Sequence, residues 1–138
     1  MAAIKCFGLT GKGKACNAGH ENPCIRRAGG EFEVLKYRHN LVVGAMEMSK
    51  YANREFELSP GDCVFVYTDG VTEAAAVGYE LYGENRVAET LNRDPDARPE
   101  ELVRRVYDDV NRFAEGMPQF DDMTMLCVKY LGNKEPEH

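Results

Sequence analysis

No stretch of this 138-residue chain is apolar over anything near the roughly 18 residues a membrane-spanning helix needs, and its first residues lack the long apolar core of a secretory signal. It also has no basic surplus. A formal charge of −6 and a pI near 5.1 argue against a nucleic-acid or anionic-membrane partner. There is no C-x-x-C pair: the five cysteines (Cys6, Cys16, Cys24, Cys63, Cys127) are odd in number, and three lie in apolar runs. That usage predicts reduced, buried thiols in a cytoplasmic protein rather than a disulfide framework. Internal repeats, low-complexity tracts and interdomain linkers are missing too. Residues 1–132 therefore read as one unit, with 43% apolar residues to build a single core, followed by a polar tail at 133–138.

What the chain does have is two acidic clusters, each attached to an apolar run. Tyr67-Thr68-Asp69-Gly70-Val71-Thr72-Glu73 directly follows Cys63-Val64-Phe65-Val66, and Gln119-Phe120-Asp121-Asp122-Met123-Thr124 directly precedes Met125-Leu126-Cys127-Val128. Burial of the apolar runs predicts two interior strands, each delivering a carboxylate to the edge of the core. A buried carboxylate is costly unless paired, protonated or bound to a cation. Carboxylates converging from separate strands suit a hard divalent ion such as Mg²⁺ or Mn²⁺. Taken singly, each cluster reads better as an acidic turn beside a strand; the two in this order bring the metal reading level with that one.

The remaining pattern is that of an α+β domain. Residues 3–9 read as a strand, Thr10 to Lys14 as a turn and Ala15 onward as the return strand of a hairpin. Arg27-Ala28-Gly29-Gly30 turns between short strands at 23–27 and 31–37. Tyr51 to Leu58 reads as a strand ending at Ser59-Pro60-Gly61-Asp62, whose Pro and Gly suit the central positions of a type II turn. A further strand is expected at 63–68, a helix near 84–92, and a second helix from Pro99 to about Gly116. Pro99 suits the first helical position, and Leu102, Val103, Val106, Tyr107, Val110 and Phe113 form a stripe at helical spacing. A last strand covers 123–130.

Two motifs fail on context. Gly8-Leu9-Thr10-Gly11-Lys12-Gly13-Lys14-Ala15 nearly spells a phosphate loop, but Ala15 replaces the required hydroxyl, and Asn17, Gly19 and Pro23 cannot open the helix that would bind phosphate. Cys16, His20 and Cys24 are four apart, with Cys6 as a fourth zinc ligand, yet that spacing gathers ligands only on a helix, which Gly19 and Pro23 oppose. His20 alone, in Asn17-Ala18-Gly19-His20, reads more simply as a hydrogen-bonded turn residue than as a catalyst.

Read together, Asn17-Ala18-Gly19-His20-Glu21-Asn22-Pro23, Leu58-Ser59-Pro60-Gly61-Asp62, Tyr67 to Ala74, Tyr82-Gly83-Glu84-Asn85-Arg86 and Gln119 to Leu126 resemble the bacterial branch of the PPM/PP2C-type protein serine/threonine phosphatases. This is the branch of sporulation protein E and the sigma-B regulator phosphatases, and the order of motifs follows it from about residue 3 to 131. The resemblance implies an αββα sandwich with a binuclear Mn²⁺/Mg²⁺ centre at one end of its sheets. It makes Asp69 and Asp121 metal-ligand and catalytic positions, with the Gly70 backbone close by, Asp122 as an alternative or supporting ligand, and Glu73 as a further metal or water contact. His20 and Asn17 become candidate substrate contacts. The implied reaction is direct hydrolysis of phosphoserine or phosphothreonine, often on an anti-anti-sigma-type protein in partner-switching regulation, by a metal-activated water.

The same resemblance exposes a gap. The family's amino-terminal strand with an acidic residue and an Asp-Gly pair, which supplies further ligands, has no counterpart in this chain. The expectation is a domain truncated at its N-terminus, binding metal weakly and self-associating through uncovered strand edges. The rival expectation is a non-catalytic phosphatase-like module that binds a regulatory protein.

Overall fold

The computed structural model describes residues 2–6, 12–17, 21–35, 54–118 and 122–132, with 2–6, 12–17 and 54–56 described by backbone alone. Its strands form two antiparallel sheets. In the first, β1 (Ala2–Cys6) pairs with β2 (Lys12–Asn17), and β2 with β5 (Arg54–Glu57). The second has the order β4-β3-β6-β7, from β3 (Cys24–Arg26), β4 (Phe32–Val34), β6 (Cys63–Tyr67) and β7 (Met125–Lys129). The expected pair of antiparallel strands at the start is present, and the second begins at Lys12, inside the stretch read from the sequence as a turn. Lys12, Gly13 and Lys14 continue the strand, opposite Glu57, Phe56 and Glu55, because pairing on both sides satisfies their backbone groups. An extended backbone there also rules out a helix-opening phosphate loop.

Three helices follow β6. The first, α1 (Asp69–Thr72), is a single turn that the sequence pattern does not announce. α2 (Gly83–Asn92) and α3 (Pro99–Phe113) match the expected helices, with Pro99 in the first turn as anticipated. They pack on each other, α2 against β4 and α3 against β7, so both cover one face of the four-stranded sheet. Cys63, Phe65 and Tyr67 of β6 point into that interface with Val71, Val87, Leu91, Leu102, Val106 and Val110. Tyr107 departs from the expected stripe and is 48% exposed. At about 100° per residue it lies roughly 90° around the helix from the line through Leu102, Val106 and Val110.

The expectation that both apolar runs form interior strands holds for β6 alone. β7 is the edge of its sheet, and its alternate residues Leu126 (57% exposed) and Val128 (43%) face away from the helices. They pair in register with Val66 and Val64, both only half-buried, so this second face of the sheet is apolar and open.

Two polar hubs lock the layers. Asp62, buried at the end of the Ser59–Asp62 turn, accepts hydrogen bonds from the Ser59 and Ala28 amides at 2.9 and 2.8 Å and from Arg27 Nη1 at 2.8 Å. Gly61, at φ 93°, takes the left-handed position the type II turn requires, and Asp62 N–H closes the turn on the Ser59 carbonyl at 2.9 Å. Burial alone would raise the Asp62 pKa, but the donors from Ser59, Arg27 and Ala28 outweigh it and hold the carboxyl below its ordinary range. Asp109 of α3 is the second hub. It accepts from Tyr82 Oη at 2.7 Å, Thr90 Oγ1 at 3.1 Å and Arg93 Nη1 at 2.9 Å, which ties α2 to α3.

Candidate functional site

The β6–β7 register decides where the acidic clusters meet. Tyr67 faces Met125, so the chain leaving β6 into Asp69 and the chain entering β7 from Asp122 lie side by side. One threonine clasps them. Thr68 N–H donates to the Thr124 carbonyl at 3.0 Å, its Oγ1 accepts from Thr124 N–H at 3.1 Å, and the same hydroxyl donates to the Asp122 carbonyl at 3.2 Å.

Gly70 completes the contact. A Cβ at this position would overlap the Asp122 carbonyl oxygen and lie 2.8 Å from the carbonyl carbon, so only glycine lets the two segments close. α1 then turns at once, with Glu73 N–H donating to the Asp69 carbonyl at 2.8 Å, while buried Val71 pins the turn to the core. Asp69 is left half-buried, and Glu73 and Asp122 are exposed.

The structure thus brings the backbone of Asp69, Gly70 and Asp122 together at one corner. Asp121 and His20 lie outside the described residues, and Asn17 is described only as the end of β2, opposite Ala2. Among the described residues, no group of three or more His, Cys, Asp or Glu side chains is arranged to hold a metal ion. Hard divalent ions take six or more oxygen ligands, several of them carboxylate or carbonyl groups. The described corner therefore does not by itself supply the ligands such an ion needs. Of the alternative zinc set, Cys24 is fully buried in the helix-covered core, where burial followed by the nearby Glu84 pushes its thiol up to about 12. A buried thiol held protonated is a poor zinc ligand.

Two features of the corner are not legible in the sequence. Asn22 is buried and donates from Nδ2 to Glu84 Oε2 at 3.2 Å, joining the Asn22-Pro23 motif to the Tyr82–Arg86 motif. Arg86 secures the same segment through the Leu81 and Tyr82 carbonyls and Glu80, with its guanidinium 4.3 Å from the centre of the Phe113 ring. Beside Gly70, a cavity of about 570 Å³ runs between the α1 turn and the end of α3. Glu73 and Asn111 are polar in its wall, against Ala74, Leu81, Val110 and Met123.

Known proteins bear on this geometry. The family model described as Stage II sporulation protein E (SpoIIE) matches residues 4–131. Protein IcfG of Synechocystis sp. (strain ATCC 27184 / PCC 6803 / Kazusa) is 34% identical over 112 residues, which are 81% of this chain and 17% of IcfG. Among solved structures, the phosphatase domain of the cell fate determinant SpoIIE from Bacillus subtilis, presoaked with Mn, superposes with a TM-score of 0.71 at 18% identity, over 100% of this chain and 59% of that one. The SiaA-PP2C domain of Pseudomonas aeruginosa gives 0.70 at 23% identity, over 88% of this chain and 47% of that one. This chain therefore has the fold of PP2C phosphatase domains and spans well under two thirds of each of these relatives.

Proposed function

The chain belongs to the Stage II sporulation protein E family, and from that premise we propose that it is the carboxy-terminal portion of a Mn²⁺/Mg²⁺-dependent phosphoserine/phosphothreonine protein phosphatase. The observation that carries this reading is the closure of the Asp69-Gly70 turn onto Asp122, made possible by the bare Cα of Gly70 and the hydroxyl of Thr68. That closure sets the backbone of Asp122 against the Asp69-Gly70 turn, so that the ends of two adjacent strands meet at one corner. In this reading Asp69 and Asp121 are the ligand positions, with Asp122 and Glu73 beside them and His20 and Asn17 toward the substrate.

A divalent ion held there would supply an activated water for attack on phosphorus. The chain's own part is to fix the carboxylates and to offer the neighbouring cavity to the residues beside the phosphorylated one. The substrate is a phosphorylated regulatory protein of the anti-anti-sigma type, and the setting is cytoplasmic partner switching. Among the described residues no helix is long and apolar enough to cross a membrane.

A second reading is favoured by one observation, the lack of a metal-holding cluster among the described residues. In it, the chain is a phosphatase-like module that binds a regulatory protein without hydrolysing it. The two separate in the protein as it exists, assayed with Mn²⁺ and with Mg²⁺. The enzyme reading expects Mn²⁺-dependent release of phosphate from a phosphoserine peptide, abolished by Asp69→Asn. Activity undiminished in Asp69→Asn, or no activity with either metal, would remove it. Self-association through the open Leu126/Val128 face is part of the proposal. A monomer at every concentration in sedimentation analysis would count against that part.

A further inference from the structure

Cys63 and Cys127 lie on adjacent strands with their sulfurs 3.3 Å apart. The register sets Cys63 opposite Lys129 and Cys127 opposite Phe65, so the thiols are diagonal neighbours on the helix-covered face of the sheet. A disulfide holds its sulfurs at about 2.0 Å and its Cα atoms within about 7 Å. Diagonal partners on antiparallel strands stand about 7–8 Å apart, so the sulfurs need to close by roughly 1.3 Å and the edge strand β7 must shift toward β6 as they do.

The surroundings give the two sulfurs different roles. Cys63 has a cation opposite it on both sides, Arg26 on β3 and Lys129 on β7. The hydrogen bond from Cys127 is the largest influence on Cys63 and lowers its pKa. Burial works against this, and the charges of Lys129 and Arg26 add to the lowering. Cys127 is pushed in the opposite direction, first by the same hydrogen bond and then by burial, so it keeps the proton. Cys24 has no such setting and stays a protonated core thiol.

We propose that Cys63 and Cys127 are an oxidation site at which a small hydroperoxide closes a disulfide between β6 and β7. Cys63 is 3% exposed, which favours a small neutral oxidant over a bulky one, and β7 is the sheet edge through which it would arrive. In the first step the Cys63 thiolate attacks one peroxide oxygen. The O–O bond breaks, sulfur loses two electrons to give a sulfenic acid, and the other oxygen leaves as water after taking up a proton. In the second, Cys127 sulfur attacks the Cys63 sulfur. The S–S bond forms, and hydroxide leaves with the Cys127 proton as a second water. Overall, two thiols and one hydrogen peroxide become one disulfide and two waters.

The test uses the native chain treated with hydrogen peroxide, then denatured, alkylated and digested with trypsin. Cleavage leaves Cys63 alone in peptide 55–86 and Cys127 alone in peptide 113–129. The expected result is a covalent pair of these peptides that separates on reduction, with the thiol titre of the denatured chain falling by two from five. Cys127→Ser is expected to leave a Cys63 sulfenic acid that dimedone traps, whereas Cys63→Ser should leave Cys127 a free thiol under the same exposure. Overturning results are both peptides recovered as alkylated thiols while other cysteines oxidise, Cys63 carried to sulfinic acid without cross-linking, or Cys63 joined instead to another chain.

Discussion

Replacing Gly70 with alanine tests the corner most directly, because the usual expectation for a helical glycine has the opposite sign. Alanine in place of glycine within a helix ordinarily stabilises by about 0.5–1 kcal/mol. Here the added Cβ would meet the Asp122 carbonyl and come within 3.3 Å of Met123 N, and both are backbone atoms that no rotamer change can move aside. The segments would have to part, straining the three Thr68 hydrogen bonds to Thr124 and Asp122. Overpacking of this kind costs about 1–3 kcal/mol, and each weakened hydrogen bond about 1 kcal/mol. Set against the helical gain, the net loss is about 2–3 kcal/mol, or roughly 6–15 °C in Tm for a domain of this size. Urea denaturation followed by circular dichroism reads this as a lower midpoint at unchanged slope. Gly29→Ala is the comparison: its φ of 79° disfavours alanine, but its Cβ meets nothing within 4 Å, so a loss of only about 1 kcal/mol is expected. A Gly70→Ala variant as stable as its parent would refute the close approach on which the corner depends.

Three further outcomes follow, two from the Asp62 hub and one from buried Tyr67. Asp62 has a folded-state pKa below its unfolded value near 4, so its stabilisation is full above that pH and is lost as the pH falls through the lower folded value. Acid titrations of stability should therefore be shallower below about pH 4 in Asp62→Asn than in the parent, with the Asp109 hub contributing the remaining slope. Asp62→Ala strands the Ser59 and Ala28 amides and is expected to cost about 3 kcal/mol by chemical denaturation. Tyr67→Phe should be neutral or stabilising by up to about 1 kcal/mol in the same assay, because the buried Tyr67 hydroxyl has only the weakly bonding Cys24 thiol near it and makes no well-formed hydrogen bond among the described residues.

Where a single segment carries its own signal, the sequence is a sufficient guide. The apolar run at 63–67 marks β6, Pro60-Gly61 marks its preceding turn, and the spacing of Leu102, Val106 and Val110 marks α3. The two acidic clusters are recognisable for the same reason. What escapes is whatever depends on pairing between distant residues. The Cys63–Cys127 contact, Thr68 reaching Asp122 and Asn22 reaching Glu84 join residues 64, 54 and 62 apart; the sheet register brings the first two within reach, and the packing of α2 on the sheet brings the third. β7 reads as interior because its residues are apolar on both faces, yet that composition serves an edge strand whose second face stays open. α1 is too short to have a period, and the reach of the turn at 10–14 is overestimated because glycine and lysine also serve in a strand paired on both sides.

The pairing of β6 with β7 has a kinetic side as well. It closes the chain around α1, α2 and α3, which form from local contacts, whereas the strand pair must first pay the entropy of joining ends more than fifty residues apart. A nascent or partly melted chain can therefore hold its helices with β7 still undocked. In that state Asp69 and Asp122 are on separate, unconnected segments. The corner comes into being only when that long-range pair closes, and it is lost when the edge strand lets go.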